Sequence, residues 1–251
     1  MKISIITVCF NANKTIEQTI ISVLSQTYHN IEYIIIDGGS VDGTIGIIKK
    51  YSSKIDKIIS EKDNGMYDAL NKGIIHATGD IIGILNSDDY FCNNNIVNLI
   101  ACSFNEKIEL DAVIGDVAFI NEKNKIFRHC SAKNWNISKF KFGNMPPHPS
   151  FYCRKTCFTK YGNYNSKFKI AGDFELLIRF FFVYKIKYSY LPIRMVYVRP
   201  GGLSTSGFNS TLTINREILQ AFKVNGLKSN MFLLHLRYFK KIFEYKFNLF
   251  T

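Results

Sequence analysis

The sequence predicts an α/β fold: a mixed, mainly parallel sheet flanked by helices, with a basic helical extension at the C-terminal end. Three observations carry this expectation. Residues 1–90 alternate strand and helix patterns, as expected of a parallel sheet with helical crossovers. Runs such as Ile81-Ile82-Gly83-Ile84-Leu85 are apolar throughout, as a strand covered on both faces must be. The first, second and fourth strands each end in polar residues, and in open α/β sheets ligands bind outside the carboxyl ends of the strands.

Taken in order, Ile3 to Phe10 is rich in β-formers and reads as the first strand. Asn13 is placed to cap the following helix, in which Ile16, Ile20, Val23 and Leu24 recur at helical spacing. Glu32 to Ile36 is the second strand and ends at Asp37, before a Gly38-Gly39-Ser40 turn and a helix through Lys49-Lys50. Asp42 reads as the N-cap of that helix. Lys57 to Ser60 is a short third strand, and Met66, Leu70, Ile74 and Ala77 share one face of the next helix. Gly79-Asp80 turns the chain into a fourth strand that runs to Asn86. Beyond it lie a helix over Ile96 to Phe104, a strand pair around Ala112 to Phe119 and Lys125 to His129, and a short strand at Tyr152-Cys153. A helix from Asp173 to Tyr184, a strand over Tyr188 to Val198, a Gly201-Gly202 loop and a helical tail from Ile214 complete the chain.

With 251 residues, 47% of them hydrophobic, the chain can bury a sizeable core and does not read as disordered. Its net charge of +12 favours nucleic acid, anionic membranes or phosphorylated substrates as partners. Nucleic acid is disfavoured, because the lysines are dispersed and no helix-turn-helix, zinc-finger or RNP pattern occurs. Cys9, Cys92, Cys102, Cys130, Cys153 and Cys157 are scattered without a Cys-x-x-Cys pair, so we expect free thiols and a cytoplasmic setting. The apolar stretch Leu176 to Tyr190 is interrupted by Arg179, Lys185 and Lys187, too soon for a membrane span. No Gly-x-Gly-x-x-Gly follows the first strand, which argues against a dinucleotide site.

The chemistry concentrates in a few places. Asn86-Ser87-Asp88-Asp89 ends the fourth strand, and hard cations such as Mg²⁺ and Mn²⁺ use one or two carboxylates together with substrate phosphates. Asp37, at another strand end, is placed to accept hydrogen bonds from ribose hydroxyls. Asp63 lies at a helix start where a carboxylate is favoured by the dipole, amid more polar groups than a cap requires. Asp173 opens a helix either as its N-cap or as a general base, with Glu175 and Arg179 paired four residues apart. His148, stiffened by Pro146, Pro147 and Pro149, is either a surface histidine or a group that binds metal, phosphate or an acceptor sugar.

Together these residues resemble the inverting nucleotide-sugar glycosyltransferases of family 2, which have the Rossmann-like GT-A fold. The resemblance runs from residue 1 to about residue 205 and rests on the order and spacing of several pieces. They are Ser4 to Asn11, Ile36 to Thr44, Glu61 to Gly73, Gly83 to Asp89, Pro147-His148, Gly172 to Arg179 and Gly201 to Ser204. The nearest look-alikes build O-antigen, capsule and similar bacterial surface polysaccharides. The resemblance implies a GT-A domain over residues 1–213, with a nucleotide-sugar half to about residue 105 and an acceptor half from 106. It implies that Thr7, Asp37 and Asp63 hold the nucleoside, most often uridine, within a donor site that includes Phe10, Asn11, Gly39, Lys72, Asn86, Ser87 and Asp88. Asp88 would bind Mn²⁺ or Mg²⁺ on the diphosphate, and Asp173 would be the catalytic base. His148, Asp89, Arg179 and Ser204 are the candidates for acceptor or phosphate contacts.

The chain departs from the family pattern twice: Asn86 replaces the first acid of Asp-x-Asp, and Gly172 replaces the acid that often precedes the base. These departures leave room for a second reading, a sugar-nucleotide-binding protein without catalysis. An exposed Asp has a pKa near 3.9, so the base is expected to be ionised at pH 7 without tuning. The tail, residues 214–251, carries Lys223, Lys228, Arg237, Lys240, Lys241 and Lys246 among Leu, Phe and Tyr. Basic amphipathic helices of this kind lie on anionic membranes. With a lipid-linked oligosaccharide as the implied acceptor, we expect a peripheral enzyme on the inner face of the cytoplasmic membrane.

Overall fold

The computed structural model describes residues 1–201 and 208–234. Strands β1 (Ile3–Cys9), β2 (Ile31–Asp37), β3 (Lys57–Ser60) and β4 (Ile81–Ile84) form a parallel block in the order β3-β2-β1-β4. Beyond β4 the sheet becomes mixed. Its remaining path is β8 (Tyr152–Arg154), β6 (Ala112–Ile120), β9 (Tyr188–Val198) and β5 (Tyr90–Phe91), with β7 (Ile126–Cys130) hairpin-paired to β6. β8 runs antiparallel to both β4 and β6, so β6 and its parallel neighbour β9 run in the same direction as β1. The carboxyl ends of β1, β2, β3, β4, β6 and β9 therefore share one edge.

Alternation of side chains builds the two cores. Ile3, Ile5, Tyr33 and Ile35 face α1 (Ile16–Leu24), α2 (Thr44–Lys50) and α4 (Ile96–Glu106). Ile6, Val8, Ile34 and Ile36 face α3 (Met66–His76), α5 (Lys155–Tyr161), α6 (Gly172–Leu177) and α7 (Phe208–Val224). The second core is aromatic: Trp135 meets Phe140, Phe181 and Tyr188 edge-on with centroids 5.2–5.4 Å apart.

Several local expectations change. Asn13 does not cap α1; its side chain donates to the carbonyl of Asp42 at 2.8 Å, tying α1 to the β2–α2 loop. Asp42 does serve the start of α2, accepting the Thr44 N–H at 3.0 Å, although Gly43 occupies the cap position. The regular part of β4 stops at Ile84, and Leu85 keeps one more bond, to the carbonyl of Ile6 at 3.0 Å. The helix expected through Tyr184 is α-helical only to Leu177 and continues as π-helix over Ile178–Val183.

The helix expected from Ile214 starts earlier, at Phe208. Ile218, Ala221 and Phe222 are buried in the second core, and the Phe222 ring lies 5.8 Å from that of Phe174. Glu217 accepts the N–H groups of Lys169, Ile170 and Ala171 at 2.8–2.9 Å, so α7 holds the segment that enters α6. The apolar face of this helix is spent on the protein; Arg237, Lys240, Lys241 and Lys246 lie outside the described residues. Glu217→Ala leaves three N–H groups without their acceptor, and we expect a loss of about 1–3 kcal/mol, read as a lower urea midpoint.

Candidate active site

The loops after β1, β2 and β3 form one end of the site. Asp37 is fully buried and accepts from the Ser40 N–H at 3.1 Å, the Ser60 hydroxyl at 2.6 Å, the Ser40 hydroxyl and the Cys9 thiol. Burial alone would raise its pKa, but the hydrogen bonds from Ser40 and Ser60 outweigh it and hold the carboxyl below its ordinary range. Asp37 therefore organises its loop and is not the open ribose acceptor that its strand-end position suggested. Asn11 does similar work with a left-handed backbone (φ 50°), accepting the Val41 N–H at 3.0 Å while its own N–H reaches Ser40. Thr7 is also turned inward: alternation points it to the α1 face, fully buried, with its hydroxyl 3.2 Å from that of Tyr33.

Gly38 itself is buried, and what lies over it is the Asp63 carboxylate. A Cβ at this position would sit 2.6 Å from Asp63 Oδ2 and 3.5 Å from Phe10 Cδ2. Glycine thus lets the Asp63 carboxylate close on the backbone, beside the Phe10 ring, which is 64% exposed. The other Asp63 oxygen accepts the Gly65 N–H at 2.9 Å, which orients it. Gly39 supplies the left-handed turn (φ +83°). The sequence pointed to Gly39 and missed Gly38; the doubled glycine after a strand was the available signal. Lys72 pairs with Glu61 at 2.9 Å and braces the β3–α3 loop from the side.

At the end of β4 the two adjacent carboxylates part ways. Asp89 is turned inward, 2% exposed, and accepts the backbone N–H of Arg199 at 3.3 Å and the Asn86 amide at 3.4 Å. Burial and then the neighbouring charge of Asp88 push its carboxyl well above the ordinary range. Asp89 is thus a support for the turn and not an acceptor contact. Asp88 is partly exposed, as are Asn86 and Ser87, and burial raises its pKa against the opposing charge of Arg199. Arg199, which the sequence reading overlooked, donates to the Asp88 carbonyl at 2.7 Å and to Gln18, and lies over the Tyr90 ring at 5.0 Å. Ser204 lies outside the described residues. Among those described, no three His, Cys, Asp or Glu side chains cluster as a ready-made cation site. The oxygen donors present, the Asp88 carboxylate and the Asn86 amide, fit a hard cation that takes its remaining ligands from a diphosphate and water.

The third component is the start of α6. The Tyr67 hydroxyl, from α3, donates to the Ile170 carbonyl at 2.6 Å and accepts the N–H groups of Gly172 and Asp173 at 2.8 and 3.2 Å. It also lies 3.5 Å from Asp173 Oδ1. A Cβ on residue 172 would come within 2.7 Å of the Tyr67 ring, so Gly172 is required by this packing. Ala171, not Asp173, occupies the cap position. Asp173 accepts the Phe174 N–H at 2.7 Å, and burial raises its pKa to about 6, with a further raising contribution from Glu217. The expectation of an untuned carboxyl is thereby corrected.

Two further candidates prove to be scaffolding. His148 Nε2 lies 2.7 Å from the Tyr164 hydroxyl, and burial lowers its pKa to about 4, so it is neutral at pH 7. The Tyr164 ring in turn stacks on Tyr67 at 5.7 Å. Each guanidinium N–H of Arg179 has a protein acceptor: Glu175 at 2.9 and 3.1 Å, and the carbonyls of Tyr161, Gly162 and Asn163. Arg179 anchors the 161–163 loop and has no donor left for a phosphate.

Comparison with known proteins agrees with this arrangement. The description "Glycosyl transferase family 2" matches residues 4–163, and the chain belongs to that family. An uncharacterized glycosyltransferase of Mycobacterium tuberculosis is 30% identical over 193 residues, covering 70% of this chain and 68% of that one. An Escherichia coli UDP-Glc:alpha-D-GlcNAc-diphosphoundecaprenol beta-1,3-glucosyltransferase is 42% identical over 109 residues, 42% of this chain and 43% of that enzyme. Among solved structures, Staphylococcus aureus TarS superposes with a TM-score of 0.66 at 18% identity, covering 88% of this chain, which spans 40% of that structure's length. The mannosyltransferase PcManGT of Pyrobaculum calidifontis, in complex with GDP-Man and Mn²⁺, gives 0.66 at 14% identity over 93% of this chain and 68% of that one. The fold is the mixed, mainly parallel GT-A sheet with its flanking helices.

The raised pKa can be checked directly. Carbon-13 spectra of Asp-labelled protein should show one carboxyl titrating near pH 6, absent in Asp173→Asn. A titration confined below pH 5 would remove the tuning.

Proposed function

We propose that this chain moves a sugar from a UDP-sugar to a hydroxyl of a glycan acceptor with inversion at the anomeric carbon. The carrying observation is Asp173: a carboxylate in the first turn of α6, held beside the Tyr67 hydroxyl, with its pKa raised to about 6. A general base works best with a pKa near the operating pH. The exposed Phe10 ring beside the Asp63 carboxylate suits a nucleobase, with the ring stacking and the carboxylate accepting an imide N–H such as that of uracil. The E. coli relative's name supports a UDP-sugar donor and a lipid-diphosphate-linked acceptor, the chemistry of surface-polysaccharide assembly.

In the reaction, Asp173 takes the proton of the acceptor hydroxyl as its oxygen bonds to the anomeric carbon from the face opposite the diphosphate. The carbon–oxygen bond to the diphosphate breaks, and UDP departs with the electron pair. A divalent cation, Mn²⁺ or Mg²⁺, held by Asp88 and the donor's phosphates, would neutralise charge on the leaving group. Asn86, beside Asp88, and the Phe10–Asp63 pair position the donor. A catalytically silent binding protein is the second reading, but Gly172 no longer supports it, because Tyr67 excludes a larger residue there. A lipid-linked acceptor places the enzyme at the cytoplasmic membrane surface. No described helix is long and apolar enough to cross a membrane.

Asp173→Asn should cut transfer by about 10²–10⁴-fold while leaving UDP affinity within about twofold. Near-normal turnover would remove Asp173 as the base. Because the active form is the ionised one and its pKa is raised, kcat/KM should be flat above pH 7 and fall tenfold per unit as pH drops below about 6. Calorimetric titration of UDP tests the donor site. Phe10→Ala should weaken binding by roughly tenfold or more, as loss of base stacking does, and EDTA should weaken wild-type binding. Equal affinity for CDP, whose base has no imide N–H, would refute recognition of uracil by the Asp63 carboxylate.

A further inference from the structure

The hairpin of β6 and β7 has no part in the site just described, and its turn opens a strongly basic stretch of the chain. Between residues 121 and 144 there are six lysines and arginines and a single acid, Glu122. Every residue from Asn121 to His129 is exposed, including Phe127 at 55% and Ile126 at 37%. Phe142, further along the same segment, is 37% exposed. Among the described residues β7 pairs with β6 alone, at an edge of the sheet. Phe127 is the extra residue where the β6–β7 register shifts, and its ring lies 6.3 Å from that of Phe119 while staying largely exposed beside Ile126. Lys123, Lys125 and Arg128 flank these apolar groups, and Arg128 is ordered by stacking 3.7 Å above the Phe119 ring.

We propose that the β6–β7 hairpin is a membrane-docking element. Its tip inserts Ile126 and Phe127 among lipid headgroups while Lys123, Lys125 and Arg128 engage anionic lipid phosphates. Juxtaposed basic and apolar groups are what an anionic interface selects. The position of the hairpin supports the same conclusion. The Tyr90 hydroxyl reaches the Asn124 side chain in the turn at 3.5 Å, and the Tyr90 ring carries Arg199, which holds the Asp88 carbonyl. The docking edge therefore adjoins the candidate donor site. Resting on the transferase reading, this placement presents a lipid-borne acceptor to the mouth of that site.

The test is sedimentation of the full chain with phosphatidylcholine vesicles, with and without phosphatidylglycerol. Binding should require phosphatidylglycerol and weaken with salt, because charge attraction at a membrane surface is screened. At roughly a fivefold gain per basic residue, K123Q/K125Q/R128Q should bind roughly a hundredfold more weakly. Calorimetry with UDP should be unchanged in that variant, which also reports an intact fold. In Phe127→Trp, tryptophan emission should shift to the blue on adding anionic vesicles, above the constant signal of buried Trp135. Wild-type-like binding by the triple variant, with loss instead on neutralising Lys240 and Lys241, assigns the contact to the tail and overturns the proposal. Equal binding to neutral vesicles, or displacement of vesicles by single-stranded RNA, overturns it as well. Vesicle binding is read without sugar transfer, so failure of wild-type protein to bind any nucleotide would refute the transferase reading and leave this one standing.

Discussion

The hydroxyl of Tyr67 joins the two halves of the site. It is one oxygen from α3, in the parallel half, and it serves three backbone groups of the chain entering α6. Asp173 is set in place by those bonds, and Gly172 follows as a steric consequence of the ring beneath it. Support continues behind the ring: Tyr164 stacks on Tyr67, neutral His148 meets the Tyr164 hydroxyl, and Glu217 secures residues 169–171 from the other side. A buried hydroxyl stripped of its partners costs free energy, so this constellation forms as a unit or not at all. The placement of Asp173 is built from ordinary scaffolding contacts.

The carboxylates differ by how many donors the fold gives them. Glu32 is held at about 2: burial opposes ionisation, but Ser4, Thr78 and Lys2 all donate to it, as Ser40 and Ser60 do to Asp37. These acids are spent on structure. Asp89 is buried with weak partners and a charged neighbour, and is driven the other way. Asp63, Asp88 and Asp173 retain both exposure and capacity, and they lie in three separate loops or helix starts. Rank among strand-end acids is therefore not a property of the residue type. It follows from the count of N–H and O–H groups the surrounding loop can direct at each one.

This explains what the sequence disclosed and what it withheld. Apolar runs and helical spacing were sufficient for β1 to β4, for α1 to α4 and for the common polar edge, because one-dimensional periodicity encodes them. The orientation of Thr7 was not legible: β1 is buried on both faces, so its pattern carries no alternation to read. Arg199 was invisible for another reason. It meets Asp88 from 111 residues away, and no local spacing announces that contact. The same limit applies to α7, whose basic amphipathic pattern is identical whether its apolar face meets lipid or protein. Phe222 shows that here it meets protein.

Asn86 is the remaining departure from the family pattern, and Arg199 gives it a physical context. A diphosphate brings negative charge to a turn that already holds Asp88 and Asp89. With two free acids, that approach would rely on a cation to overcome repulsion. Here Asp89 is buried and pushed toward its neutral form, Asn86 carries no charge, and the Arg199 guanidinium stands against the Asp88 backbone. The turn therefore presents one exposed carboxylate under a fixed positive charge. On the proposed reading, repulsion of an incoming diphosphate would be reduced before any cation binds, and a cation there would serve chiefly to stabilise the charge of the departing nucleotide.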